Sequence, residues 1–438
     1  MSFTTASSRW SDVWLATAAR GISSCGDFLA ASALTLALQS AGAGGLAVSG
    51  LLLAATLPLV VLAPLTGRLA DRVDSRTLLV IAGLAQAGIC LALAYAERPA
   101  MMIALAGLLA VGLAVTQPVL AALVPAMVRP ADLPRASALQ QSAGTLGVLA
   151  GPALAGVLVG GFGTRLPLLL DAASYLALVA AGLLIRTRRG GRRVPEKVLA
   201  DGGIEPRTWR LRRDPLLLAT VIGVAGVVGS VGAINVVEVF FIRETLHSST
   251  TMYGLVTGAW TLGALAGSWI FARAVGRLHR DGALAGAGLA LLGGCCLMVL
   301  ISAAVPTALL IVPIWLVGGI FNGGNNVFGT VLMARRVPEA VRGRAFASYV
   351  GAVQGASMVG YLAGGVLLEL LDPRPLVAAA GVAGLAAVGV LAVPLSRAAR
   401  RDRAAGTPQQ APRTADPAEP VAAPKVEAGT AVTPVPGR

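Results

Sequence analysis

The sequence predicts an all-α membrane protein, twelve transmembrane helices in two pseudo-symmetric six-helix bundles, and three observations carry that prediction. Hydrophobic residues make up 56% of the 438 and charged residues only 13%, far from the balance of a soluble domain. Apolar windows of about 20 residues, the length that crosses a bilayer, recur along the chain. They fall at 14–38, 47–66, 77–95, 101–123, 139–161, 166–186, 215–241, 253–273, 281–303, 306–334, 345–368 and 374–394. Six of these windows precede the longest hydrophilic connection, Arg186 to Asp214, and six follow it.

The elements divide accordingly into a cytoplasmic N-terminus (1–13), an N-terminal bundle (14–186), a basic cytoplasmic linker (187–214), a C-terminal bundle (215–394) and a tail (395–438). The first window is too long for a signal-peptide core and eleven others follow it, so it is expected to be retained. The linker carries Arg188, Arg189, Arg192, Arg193, Lys197, Arg207, Arg210, Arg212 and Arg213. With Trp209 among them it is either an amphipathic segment on the inner leaflet or a plain basic connection. The tail is rich in Ala, Pro, Arg and Thr and cannot bury enough surface to fold, so disorder is expected there. A weak internal repeat, offset by roughly two hundred residues, suits duplicated halves. Arg129–Ala136, entering the fifth span, parallels Val337–Ala345, entering the eleventh, and Gly147-x-x-x-Gly151-Pro152 parallels Gly360-x-x-x-Gly364-Gly365.

Net charge is +14, but its placement argues against a nucleic-acid partner. If the N-terminus is cytoplasmic, the opposite loops contain only Arg98, Arg165, Arg243 and Arg374, and Arg20 lies within the first span. The other thirty of the 35 Lys and Arg fall on the cytoplasmic side. Both termini are therefore expected in the cytoplasm, with the excess charge against anionic lipid. Cys25, Cys90, Cys295 and Cys296 lie inside spans and suggest neither a disulfide framework nor a metal site. His247 and His279 fall in loops. No phosphate-cradling G-x-x-x-x-G-K-[ST] sequence is present, and no catalytic constellation, so neither an enzyme nor a cofactor is expected.

Polar groups inside apolar runs are the candidate functional residues, because burying charge in lipid is costly. Asp27 sits in the middle of the first span, and Arg20, Ser24 and Asp27 share one helix face. Asp27 can bind a proton or a cationic substrate, or it can pair internally with Arg20. The register counterpart in span seven holds Asn235, with Glu238 one turn on. Glu238 reads as functional, whereas Asp171 in span six reads as an interfacial residue. Span ten contains Phe321-Asn322-Gly323-Gly324-Asn325-Asn326, opposite Thr116-Gln117-Pro118 in span four. Interrupted segments at matching places in two halves point to a binding site lined by Gln117, Asn322, Asn325 and Asn326, or to hydrogen bonds between helices. Trp260, Trp269, Trp315, Phe240 and Tyr361 can line an apolar cavity or face lipid. Glycines at Gly147, Gly151 and Gly156 flatten one helix face, and Pro152 bends it. A charged hairpin spans Gly67 to Arg76, where Asp71 can pair with Arg72 or Arg76 and latch a state of the bundle, or merely cap a turn.

That hairpin resembles the G-x-L-A-D-R-x-G-R-K loop after the second helix of major facilitator superfamily transporters. Gly67, Leu69, Ala70, Asp71, Arg72 and Arg76 match, while Asp74 and Ser75 depart from the pattern. The span-five segment resembles the G-x-x-x-G-P motif of drug antiporters in that superfamily. Ser23, Ser24, Gly26 and Asp27, Leu123-Val124-Pro125, Ala136–Leu139 and Arg342-Gly343-Arg344 resemble bacterial macrolide-efflux and enterobactin-efflux exporters. The resemblance covers 14–394 and implies a monomer in the bacterial plasma membrane. It implies export of hydrophobic or amphipathic small molecules by proton antiport and alternating access. Span four has no arginine where many proton-driven relatives carry one, a departure that puts the route of proton coupling in question. An importer of a small metabolite, or a membrane sensor or scaffold that transports nothing, shares the same architecture.

Overall fold

Residues 8–129, 131–187, 211, 214–338 and 341–406 are described by the computed structural model of the chain, and every regular element among them is a helix. The first half comprises α1 (Trp10–Ser40), α2 (Gly44–Val61), α3 (Ala63–Arg72), α4 (Ser75–Ala94), α5 (Pro99–Met127), α6 (Leu133–Phe162) and α7 (Arg165–Leu184). The second comprises α8 (Pro215–Val231), α9 (Ile234–Phe240), α10 (Thr250–Ala274), α11 (Asp281–Ala304), α12 (Ala308–Arg336), α13 (Arg342–Leu368) and α14 (Pro373–Gly406). Twelve segments are long and apolar enough to cross a membrane, α8 and α9 forming one of them.

Leucine, isoleucine and valine face outward in numbers no soluble protein tolerates: Leu84, Leu146, Val157, Leu262, Val359 and Val390 are all exposed. Lipid is as apolar as leucine, so helix association here depends on close packing of small residues. Glycines of α6 supply it in the first half. A side chain added at Gly147 would press on Gly21 and Ser24, and one at Gly151 on Cys25 and Phe28, all on α1. The same device recurs on α13, where Gly360 meets Gly229 and Gly232 and Gly364 meets Ala233.

Neighbour relations repeat the symmetry throughout. In the first half α1 packs on α6 and α7, α4 on α5 and α7, and α2 on α5. In the second, α8 packs on α13 and α14, α11 on α12 and α14, and α10 on α12. Across the halves α6 meets α10 and α13 meets α2, an exchange that itself obeys the pseudo-two-fold axis.

Closure between the halves concentrates on the face opposite the chain termini, the distal face. Thr250 Oγ1 donates to Gly156 O at 3.1 Å, and a Cβ at Gly254 would lie 2.5 Å from Pro152 O. On the other side of the axis Leu46 N donates to Glu369 Oε1 at 3.2 Å, and Gly45 and Gly365 touch. Gln39, at the end of α1, donates to Glu244 Oε1 at 2.9 Å and accepts from Arg243 Nε at 3.4 Å. On the opposite face, described residues of the second half are tied to one another. Arg336 Nε pairs with Asp214 at 2.6 Å and Arg336 Nη1 with Asp281 at 3.3 Å, joining α12 to α8 and α11.

Three sequence expectations change. The charged hairpin is mostly helix: α2 breaks at Leu62, α3 carries Gly67 to Arg72, and the turn is only Val73-Asp74 before α4 begins at Ser75. Proline at the first turn of α3 explains the break, since its ring fixes a helix start. Span seven is discontinuous. It stops at Gly232, restarts at Ile234 and ends in a π turn over Phe241–Thr245. The final helix runs past Pro394 to Gly406, because Leu395, Ala398 and Ala399 bury against Leu216, Ala285 and Val341. Residues 1–7, most of the basic linker (188–210, 212 and 213) and the tail beyond 406 lie outside the described residues.

Candidate functional site

The first polar centre is built on α1, α4 and α7. Close packing of α6 on one side of α1 leaves the face with Gly26 and Asp27 turned towards α7. A Cβ at Gly26 would collide with Asp171 Oδ1 and Ser174 Oγ, so only glycine admits this approach. Asp27 is half-buried, and Tyr175 Oη donates to its Oδ1 at 2.5 Å. Asp171 is completely buried, receiving Cys90 Sγ on Oδ2 at 3.0 Å and Ser174 Oγ on Oδ1 at 3.1 Å. Asp171 Oδ1 stands against Gly26, the residue before Asp27, so two carboxyls share one stretch of the α1–α7 contact.

One expectation is corrected here. Asp171 is no interfacial residue: α7 turns it inward, onto α4. Of the two alternatives for Asp27, the internal pair with Arg20 is not formed, for the ion pairs found among the described residues join only Arg335 and Arg336 to Asp214 and Asp281. Arg20 instead lies along Gly144 of α6, its Nε 3.3 Å from where a Cβ there would stand.

The second centre is an open cavity of about 280 Å³ lined by α8, α9, α10, α11 and α12. The break in span seven shapes its wall. Gly232 O accepts twice from Asn235, from its backbone N–H at 3.1 Å and from Nδ2 at 3.2 Å, which ties the side chain to the turn where the helix is interrupted. One turn on, Glu238 is 7% exposed and Thr257 Oγ1 donates to its Oε1 at 2.8 Å. Trp260 and Trp315 stand edge to face, ring centroids 5.5 Å apart, and both line the cavity with Asn322 and Cys295. Trp315 Nε1 is buried without a hydrogen-bond partner. No Lys, Arg or His is among the lining residues.

The remaining candidates divide. Asn235, Glu238 and Asn322 come together. Asn325 is buried in a separate, tighter cleft beside Gly288 and Phe328. Asn326 is exposed and its Nδ2 donates to Asn322 Oδ1 at 3.2 Å, and Gln117 is exposed on α5. Arg72 is exposed and Arg76 half-buried, whereas the surroundings of Gly67 and the side chain of Asp71 are not described. Trp269 is 68% exposed beneath the Arg273 guanidinium, 3.3 Å from its ring centroid, and does not line the cavity. Sequence reasoning missed Tyr175, Cys90 and Thr257, ordinary residues whose importance lies only in what they touch. Among the described residues no cluster of three or more His, Cys, Asp or Glu could hold a metal ion.

Comparison with known proteins places this architecture. The family model MFS_3, described as transmembrane secretion effector, matches residues 6–423. No curated protein matches the chain. The fold is shared with a mutant of the nucleoside transporter NupG at a TM-score of 0.71 and 14% identity, covering 87% of this chain and 99% of that one. It is shared with a bacterial homologue of the human lysosomal transporter Spinster, solved inward-facing and unoccupied, at 0.68 and 13%, covering 90% and 97%. A mutant of the peptide transporter POT in complex with sulfate aligns at 0.70 and 14%, covering 89% and 95%. The chain is therefore a multi-pass membrane transporter of the major facilitator fold, and it belongs to the transmembrane secretion effector family.

Proposed function

We propose that this protein is a secondary active transporter that exports hydrophobic or amphipathic small molecules by proton antiport. The observation that carries the reading is the cavity of about 280 Å³, whose wall is apolar apart from Glu238, Thr257, two asparagines and a cysteine. Such a chamber matches small-molecule sites in general, largely apolar with a few placed polar groups. Its wall is formed by a broken helix, the arrangement that transporters use at substrate sites.

Proton coupling is assigned to the separate centre at Asp27 and Asp171, with Glu238 as the acid facing substrate. Tyr175 links α1 to α7 through Asp27, so loss or gain of a proton on that carboxyl changes a contact between two helices that must move during alternating access. The cluster of basic residues near the termini supports a cytoplasmic terminal face and an external distal face. On that orientation, the distal contacts at Gly156–Gly254 and Gly45–Gly365 correspond to a state closed to the outside. Arg72 and Arg76, with Asp71, belong to the latch of the cytoplasmic side. The carrier acts as a monomer in the bacterial plasma membrane.

The test is accumulation of a panel of lipophilic dyes and antibiotics in a pump-deficient host, comparing wild type, Asp27→Asn and empty vector, with and without a protonophore. Lower accumulation in the wild type alone, abolished by the protonophore, is the expected result. Equal accumulation in all three strains across the panel would overturn drug-type efflux, and higher accumulation in the wild type would establish import.

A further inference from the structure

We infer that the chamber beside Glu238 selects a monocationic amine carried on an aromatic or apolar body. The inference rests on the proposed reading of that chamber as the substrate site and narrows its chemistry. Glu238 is the one ionisable acid among the lining residues, and the lining holds no Lys, Arg or His to neutralise it. Thr257 satisfies Oε1, and Oε2 is absent from the buried atoms that lack a partner. That oxygen therefore opens on the chamber. An ammonium N–H donating to it replaces the missing counter-charge with a charge-assisted hydrogen bond, the strong kind.

The rest of the wall specifies what the ammonium is attached to. Trp260 and Trp315 present an indole pair at 63° to one another, an apolar cradle whose faces also attract a cation. Trp315 Nε1–H is an unspent donor in a residue more than nine-tenths buried, so one acceptor on the ligand body finds a partner there. Val227, Val231, Leu292 and Val299 complete an apolar floor.

Binding to the purified full-length protein, followed by tryptophan fluorescence, tests this with two matched probes: 4-phenylbutylamine and the neutral 4-phenylbutan-1-ol. The amine is expected to bind about tenfold or more tightly than the alcohol, as a charge-assisted hydrogen bond to a buried carboxylate implies. Glu238→Gln keeps the shape and the Thr257 contact, and it should erase the preference. Equal binding of amine and alcohol by the wild type, or a preference that survives in Glu238→Gln, would overturn the assignment. The wild-type comparison requires no variant to fold. A Glu238-dependent amine preference without any efflux would sink the export reading and leave this assignment standing. Efflux without amine preference would do the reverse.

Discussion

Tyr175 and Asp27 meet across α1 and α7, hydroxyl to carboxylate at 2.5 Å, directly beside the fully buried Asp171. This contact joins two helices of one half at the depth where charge is most costly, and the first prediction concerns it. Tyr175→Phe removes the donor and little else, so Asp27 loses about 1–3 kcal/mol of hydrogen-bond compensation in whichever state contains the contact. Transport is expected to fall several-fold while expression and thermal stability in detergent stay near wild type. A variant with unchanged transport would show the contact to be incidental.

Asp171 makes a different prediction. Its two oxygens satisfy Cys90 and Ser174, so Asp171→Ala strands both donors in an apolar bundle and is expected to cost about 2–4 kcal/mol. Asp171→Asn keeps an acceptor and should cost clearly less. Gly26→Ala drives a methyl into the same site and should resemble the alanine variant. Thermal unfolding of the purified variants ranks the three.

Gly156 and Gly254 touch at the distal contact between the halves, and a side chain at either meets backbone. Gly156→Leu is expected to cost the closed distal face about 1–3 kcal/mol, enough to shift the balance of states by roughly five- to a hundredfold in equilibrium. Spin labels on the exposed distal residues Glu97 and Asp372, one in each half, report the result as a longer distance in the variant. An unchanged distance distribution would contradict a distal face held by glycine contact.

Arg336 ties the end of α12 to Asp214 and Asp281 with its side chain only 18% exposed. Arg336→Gln leaves two half-buried carboxylates without that guanidinium, and a loss of about 1–3 kcal/mol is expected. Chemical denaturation in detergent measures it. Asp281→Asn, which retains the Asp214 pair, should be milder.

The fold is legible in the sequence because lipid imposes its own pattern: apolar runs of bilayer length, basic residues on one side and glycine motifs at matching places. The helix pairs α1–α6 and α8–α13 follow from Gly147, Gly151, Gly360 and Gly364, each of which stands in a small-residue motif of the chain. Three features are not legible. The break at Gly232 carries no proline, and it coincides with the close approach of Gly360, which no local sequence signal announces. Helix α14 continues beyond Pro394 because Leu395 and Ala399 find apolar partners on α8, α11 and α13, which composition alone cannot show. Asp171 looks interfacial in the chain, yet the rotation of α7 about its axis places it against Cys90. In the candidate chamber, Asn235, Glu238 and Asn322 stand out as polar residues in apolar runs. That they share one cavity with Trp260 and Trp315, while Asn325 and Gln117 do not, depends on helix rotation and is visible only in three dimensions.

Proton-driven export through Asp27 is tested most directly in inside-out membrane vesicles energised to a pH gradient and followed with a pH-sensitive dye. Addition of the compound that wild-type cells exclude most strongly should release protons from wild-type vesicles and collapse part of the gradient. Asp27→Asn vesicles, containing the same amount of folded protein, should not respond. A gradient that stays intact in the wild type while export continues, or an equal collapse in Asp27→Asn, would contradict proton antiport through this carboxyl.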